Sequence, residues 1–217
     1  MKRSDFINEE AVSPVVGVML MLVVTIIIAA IVSGFSGGVV GSEKSAPQSA
    51  FVVGYNVQIT DTDKTNAQPD SPKTNNCLTF RLISGDTVSL DNIMIELQSG
   101  ADSIKFTKDT VLNTSSGAVE ENNKIKLIKK GEDSTYFAVA PGMDEVIGIG
   151  DSFMLLADGS YDSTLATDSS IAKGRFLTWS PEGSSGVFKV KQNVPFDYTI
   201  YDTISNKIIQ SGTVTVQ

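Results

Sequence analysis

Eighteen consecutive residues, VVGVMLMLVVTIIIAAIV from Val15 to Val32, include only two that are not plainly apolar, Gly17 and Thr25. No charged residue stands between Glu10 and Glu43. A helix from Val12 to about Gly34 is roughly 33 Å long, enough to cross a hydrocarbon layer of about 30 Å. Each large aliphatic or Met side chain adds about 0.3–0.6 kcal/mol in favour of the membrane. The run is apolar all round, so it is not a one-sided surface helix. Its length and terminal position argue against a buried core helix. A secretory signal competes, because Ala29, Ala30, Ser33 and Gly34 offer small residues for a cleavage site. Its apolar region is about 7–15 residues, shorter than this one.

The rest of the composition narrows the chemistry. The 217 residues carry a net charge of −8 and contain no histidine. That removes the commonest general base and the commonest metal ligand. Residues 1–11 hold two basic and three acidic side chains, so residues 12–217 keep −7 of the total. An acidic body argues against nucleic acid as a partner, since phosphate binding needs clustered Lys and Arg. The single cysteine, Cys77, cannot form an intramolecular disulfide. It opens the alternating stretch CLTFRL and reads as a small buried residue, with an intermolecular bridge or a reactive thiol as the alternatives.

The charged boundary reads Glu10-Ala11-Val12-Ser13-Pro14, and it is more specific than anchoring alone requires. EAVSPVVGVMLMLVVTIIIAAIVSGFSGG resembles the N-terminal segment of archaeal type IV pilins. The family's AVSPVxGV core matches at Ala11, Val12, Ser13, Pro14, Val15, Gly17 and Val18. The resemblance implies a short leader, residues 1–11, removed on the cytoplasmic side by prepilin peptidase, a membrane aspartyl protease. The cut then falls between Ala11 and Val12, with Glu10 and Ala11 before it and Val12 and Ser13 after it. A small Ala11 suits a narrow cleft, and the charges before it hold the scissile bond at the membrane–water boundary. Pro14 becomes the third mature residue, where its missing N–H does no harm.

The resemblance further implies a filament-core helix through Pro14, Val15, Val16, Gly17, Val18, Leu20, Leu22, Val24, Ile26, Ile28 and Ile31. Its implied partners are further copies of the chain in a helical homopolymer, the peptidase, a pilus assembly ATPase and a membrane platform protein. The implied course runs from membrane-inserted precursor to extracellular surface filament, with adhesion as its use. Bacterial type IV pilins usually carry Gly before the cut and Glu at the fifth mature position. Here those places hold Ala11 and Val16, so assembly by that glutamate lacks its residue.

The domain pattern expected is leader 1–11, helix 12–41, hinge 42–50 and head 51–217. Gly34 and Gly38 are spaced G-x-x-x-G, as are Gly37 and Gly41, which marks either close helix contact or, more commonly, a flexible exit. From Phe51 the apolar period changes to two. Strands are expected at 51–59, 77–83, 92–97, 103–106, 124–128, 135–140, 152–157, 175–179 and 186–191, with a terminal hairpin turning near Ser205-Asn206. The fold class is therefore α+β: a long apolar N-terminal helix, then an all-β, immunoglobulin-like sandwich head.

Two polar stretches, 61–76 and 158–170, read as exposed loops. Asp61, Asp63 and Thr65 begin a calcium-loop spacing, but Asn66 stands where Gly is required and Pro72 at the twelfth place. Asn113-Thr114-Ser115 is a glycosylation sequon. No cofactor or metal set is expected and no recognisable catalytic pair appears. A structural subunit fits better than an enzyme; a non-polymerising anchored surface protein or minor pilin is the alternative.

Overall fold

Eleven of the eighteen residues from Val15 to Val32 are β-branched, a composition that in water lowers helix propensity. They nevertheless lie within α1, Val12–Gly38, a helix of 27 residues with no acidic side chain in its first turn and no basic one in its last. A run apolar on every side suits surroundings without water. Where water is absent, a lone segment satisfies its backbone only as a helix, and that outweighs propensity. The computed structural model describes residues 12–38, 44–59, 76–113, 125–170, 172–184 and 186–217. The chain divides into two units, Met1–Lys44 and Ser45–Gln217.

The second unit is built from strands. In chain order they are β1 (Ser49–Asn56), β2 (Cys77–Gly85), β3 (Val88–Ser89), β4 (Ile93–Ser99) and β5 (Asp102–Thr107). Next come β6 (Lys126–Lys130), β7 (Asp133–Val139), β8 (Val146–Ile147), β9 (Ser152–Leu156) and β10 (Gly159–Asp162). Last are β11 (Arg175–Trp179), β12 (Phe188–Lys191), β13 (Pro195–Asp202) and β14 (Lys207–Thr215). One sheet has the order β1-β2-β9-β7-β6 and a second β14-β13-β4-β5. A third runs β10-β11-β12, and β3 pairs with β8. Neighbouring strands in all four are antiparallel.

The two larger sheets face each other across an aromatic core. Phe80 of β2 stacks on Phe153 of β9 at 5.0 Å and meets the ring of Tyr198 on β13 edge-on at 5.9 Å. Phe106 of β5 lies 4.9 Å from Tyr136 of β7. Alternation puts Phe80 and Leu82 inside while Arg81 and Ile83 point out, the pattern of a half-buried strand.

One side of the sandwich is closed by a side chain. The Gln210 amide on β14 accepts from the Phe51 N–H at 2.6 Å and donates to the Phe51 carbonyl at 2.9 Å and to the Tyr198 hydroxyl at 2.7 Å. It thereby occupies backbone groups of edge strand β1 that would otherwise be open to another chain. The opposite edge of that sheet, β6, carries exposed Lys126, Lys129 and Lys130, a second way of discouraging strand addition.

The helix followed by a β-rich head is as expected, and the terminal hairpin turns where Asn206 takes φ 54°. Beside its two larger sheets the head also holds a third sheet and a two-strand pair. One expectation needs correction. The stretch 158–170, expected as an exposed loop, contains β10, with Asp158, Ser160, Asp162 and Ser163 all buried. Its polar residues are inside because each finds a partner there, not because they are apolar.

Candidate functional site

From Val15 to Gly34 every side chain of α1 is exposed. Among the large ones exposure ranges from 44% at Val24 to 71% at Met21. This stretch of 20 residues is long and apolar enough to cross a membrane. Thr25 turns its hydroxyl back on the Leu22 carbonyl at 2.9 Å, so its side chain does not need water. Positive charge is absent from the last turn and negative charge from the first, so the helix ends carry no ion-pair partner of their own.

The expected core-helix residues Val15, Val16, Gly17, Val18, Leu20, Leu22, Val24, Ile26, Ile28 and Ile31 all lie on this exposed surface. Val12, Ser13 and Pro14 form the first turn of α1. Glu10 and Ala11 lie outside the described residues, as do residues 60–75 with Asp61, Asp63 and Thr65. Asn113 is half-buried at the end of a described segment, and the rest of its sequon lies outside.

Residues 10–51 match the family described as archaeal type IV pilin, N-terminal. In this segment the chain is similar to archaeal type IV pilins. No curated protein matches the chain. The pilin match takes in the Glu10-Ala11-Val12 junction, the whole of α1 and the first residues of β1, and it stops where the head's own sheet begins.

Beyond the matched segment, the head holds polar clusters that the sequence did not announce. Asp158, 3% exposed, accepts the Tyr136 hydroxyl at 2.5 Å and the Ser180 N–H. Burial, and then the Asp158 carboxyl, push the Tyr136 phenol far above its ordinary value. Burial would also raise Asp162, but the Thr164 hydroxyl and N–H and the Arg175 guanidinium outweigh it and hold the carboxyl below its usual range. Lys108 bridges Asp91 and Glu145, each at 2.5 Å. Cys77 is buried, and burial raises its thiol, which suits packing better than reactivity.

The chain's entry into the head is fixed by backbone. Gly85, at φ +99°, lies so close that a Cβ there would sit 1.9 Å from the Gln48 carbonyl oxygen. Asp86 accepts the Gln48 N–H at 2.9 Å through its carboxylate and the Ser49 hydroxyl at 2.7 Å through its carbonyl. Among the described residues no group of three His, Cys, Asp or Glu converges as a metal site. The described residues thus comprise a helix exposed and apolar on every side from Val15 to Gly34 and a β-rich unit.

Proposed function

We propose that this chain is a structural subunit of an archaeal type IV pilus-like surface filament. It is made as a membrane-inserted precursor, cut by prepilin peptidase between Ala11 and Val12, and polymerised through α1, with the head displayed outward for adhesion. The observation that carries this reading is α1 itself, which exposes apolar side chains on every side within a matched pilin N-terminus. Lipid and a bundle of identical helices are both apolar surroundings, so moving α1 between them changes hydrophobic energy little and leaves packing to decide. A head-to-tail contact that does not close on itself then yields a fibre. The assembly ATPase and platform protein supply extraction from the membrane, and the heads' like charge keeps them apart at the surface. The hinge following α1 and the sequon at Asn113 belong to the same reading, the latter as a glycan site on the outward head.

Surface filaments sheared from the native host test this reading by subunit mass and terminal sequencing. The expected subunit starts at Val12 and is the main component of the filament. A subunit that still carries residues 1–11, or one that begins beyond Ala30, contradicts it. Filaments unchanged after deletion of the gene would reduce the chain to a minor or anchored component.

A further inference from the structure

We infer that the point where the chain enters the head is a load-bearing latch, in which Asp86 and Gln210 hold the Ser49–Phe51 end of β1 against tension. The two units, Met1–Lys44 and Ser45–Gln217, are one covalent chain, so a pull on α1 reaches the head along the backbone at Ser45. β1 is the strand that such a pull loads first, and its grip is concentrated at the loaded end. Ser49 and Phe51 are buried, whereas Val52 to Asn56 are half-buried or exposed. At the entry, Gln48 donates its N–H to the Asp86 carboxylate at 2.9 Å and accepts the Asp86 N–H through its carbonyl at 3.1 Å. Ser49 adds its hydroxyl to the Asp86 carbonyl at 2.7 Å. Three hydrogen bonds thus converge on Asp86, and the one to its carboxylate is charge-assisted. Gly85 permits the approach, since a Cβ there would strike the Gln48 carbonyl.

A second hold follows at once. The register shifts between Ala50 and Phe51, which leaves Ile83 of β2 without a partner on β1. Such a bulge pins the pairing, so β1 does not slide along β2 without misaligning it. Just past the shift, the Gln210 amide grips both polar groups of the Phe51 backbone. The Phe51 ring is 4% exposed and meets Phe153 edge-on at 6.1 Å. A strand pulled at its end peels, and its first pairs decide whether peeling starts. A hydrogen bond adds modestly to equilibrium stability, because water replaces it in the unfolded chain. Under load that replacement comes only after the break, so these bonds weigh more on the rate of opening than on stability. The inference rests on the proposed filament for the origin of the tension alone, and adds where the head resists it.

The test holds the full-length chain, in detergent, in magnetic tweezers by DNA handles on two introduced cysteines. Cys77, being buried, stays unlabelled. In the neck geometry the handles sit at Ser45→Cys and Asp102→Cys, so the load enters through β1. In the control geometry they sit at Asp102→Cys and Lys189→Cys, and the load bypasses β1; all three positions are exposed. The readout is the rate of first opening at constant force. In the neck geometry Asp86→Ala should open at least about tenfold faster, and Ser49→Ala, which deletes one neutral bond, about fivefold faster. In the control geometry each effect should be smaller by at least about threefold. Asp86→Asn, which keeps an oxygen to accept the Gln48 N–H, should recover most of the neck lifetime. Equal effects in the two geometries reduce Asp86 to a stabilising residue, and unchanged neck lifetimes remove the latch; either result overturns the proposal. Ser49→Ala removes a single oxygen and gives the same decision where Asp86→Ala does not fold. Because the load is applied directly, a failed filament reading leaves this result unchanged, and a failed latch leaves the filament reading standing.

Discussion

Tyr136 and Asp158 meet in the head's interior at 2.5 Å, and each supplies what burial denies the other. Tyr136→Phe leaves the carboxyl short of a donor, which costs about 2 kcal/mol. Thermal unfolding of the head, residues 45–217, should therefore show a Tm lower by about 4–8 °C. Gly85→Ala should cost more than about 2 kcal/mol, since both a left-handed φ and a backbone clash oppose it. Gly100→Ala, at φ +64° with open space around it, should cost about 1 kcal/mol in the same measurement. Acid supplies a third test. Asp162 and Asp91 both titrate below their ordinary range, so the folded head binds fewer protons there than the unfolded chain. Their contribution is fully present above the unfolded carboxyl value of about 3.9 and is lost as pH falls through the folded values. Urea unfolding between pH 6 and pH 2 should show that decline, and Asp162→Asn should flatten it. Tyr136 acts at the other end: its raised value stabilises the fold below about pH 10 and that support is lost only as pH rises through the folded value.

Elements were legible where a period was long or a chemistry plain. The helix needed only the charge-free apolar run, and β2, β4, β9, β13 and β14 followed from alternation around Phe80, Ile95, Phe153 and Ile200. β10 was not legible, because GSYD reads as turn residues. It becomes a strand through partners distant in sequence: Asn76 for Ser160 at 3.0 Å, and Arg175 for Asp162 at 2.7 Å. Likewise β3 and β8 are too short to show a period. The Gln210 seam was hidden because it joins residues 159 apart. The helix makes its own prediction. Val24→Asp places a charge where, on the proposed reading, lipid or neighbouring helices surround it, at a cost of about 2.5–3.5 kcal/mol in the membrane. Membrane-inserted precursor and filament yield should both fall, while the head's thermal unfolding stays unchanged.

At the scale of the molecule, the two units divide the labour. An apolar rod without a preferred face suits surroundings that are apolar on all sides, and a head with sealed or lysine-rich edges resists strand exchange when crowded. Processing belongs to this scale as well. Ala11→Trp puts a bulky side chain at the proposed cleavage position, so precursor should keep residues 1–11 and filaments should vanish, as read by intact mass of membrane and surface fractions. The most direct measurement is cryo-electron microscopy of sheared surface filaments at side-chain resolution. The account predicts a central bundle of α-helices whose density fits Val12–Gly38, with the β-rich heads of residues 45–217 on the outside. A filament core made of another sequence, or one in which α1 is absent from the bundle, would contradict it.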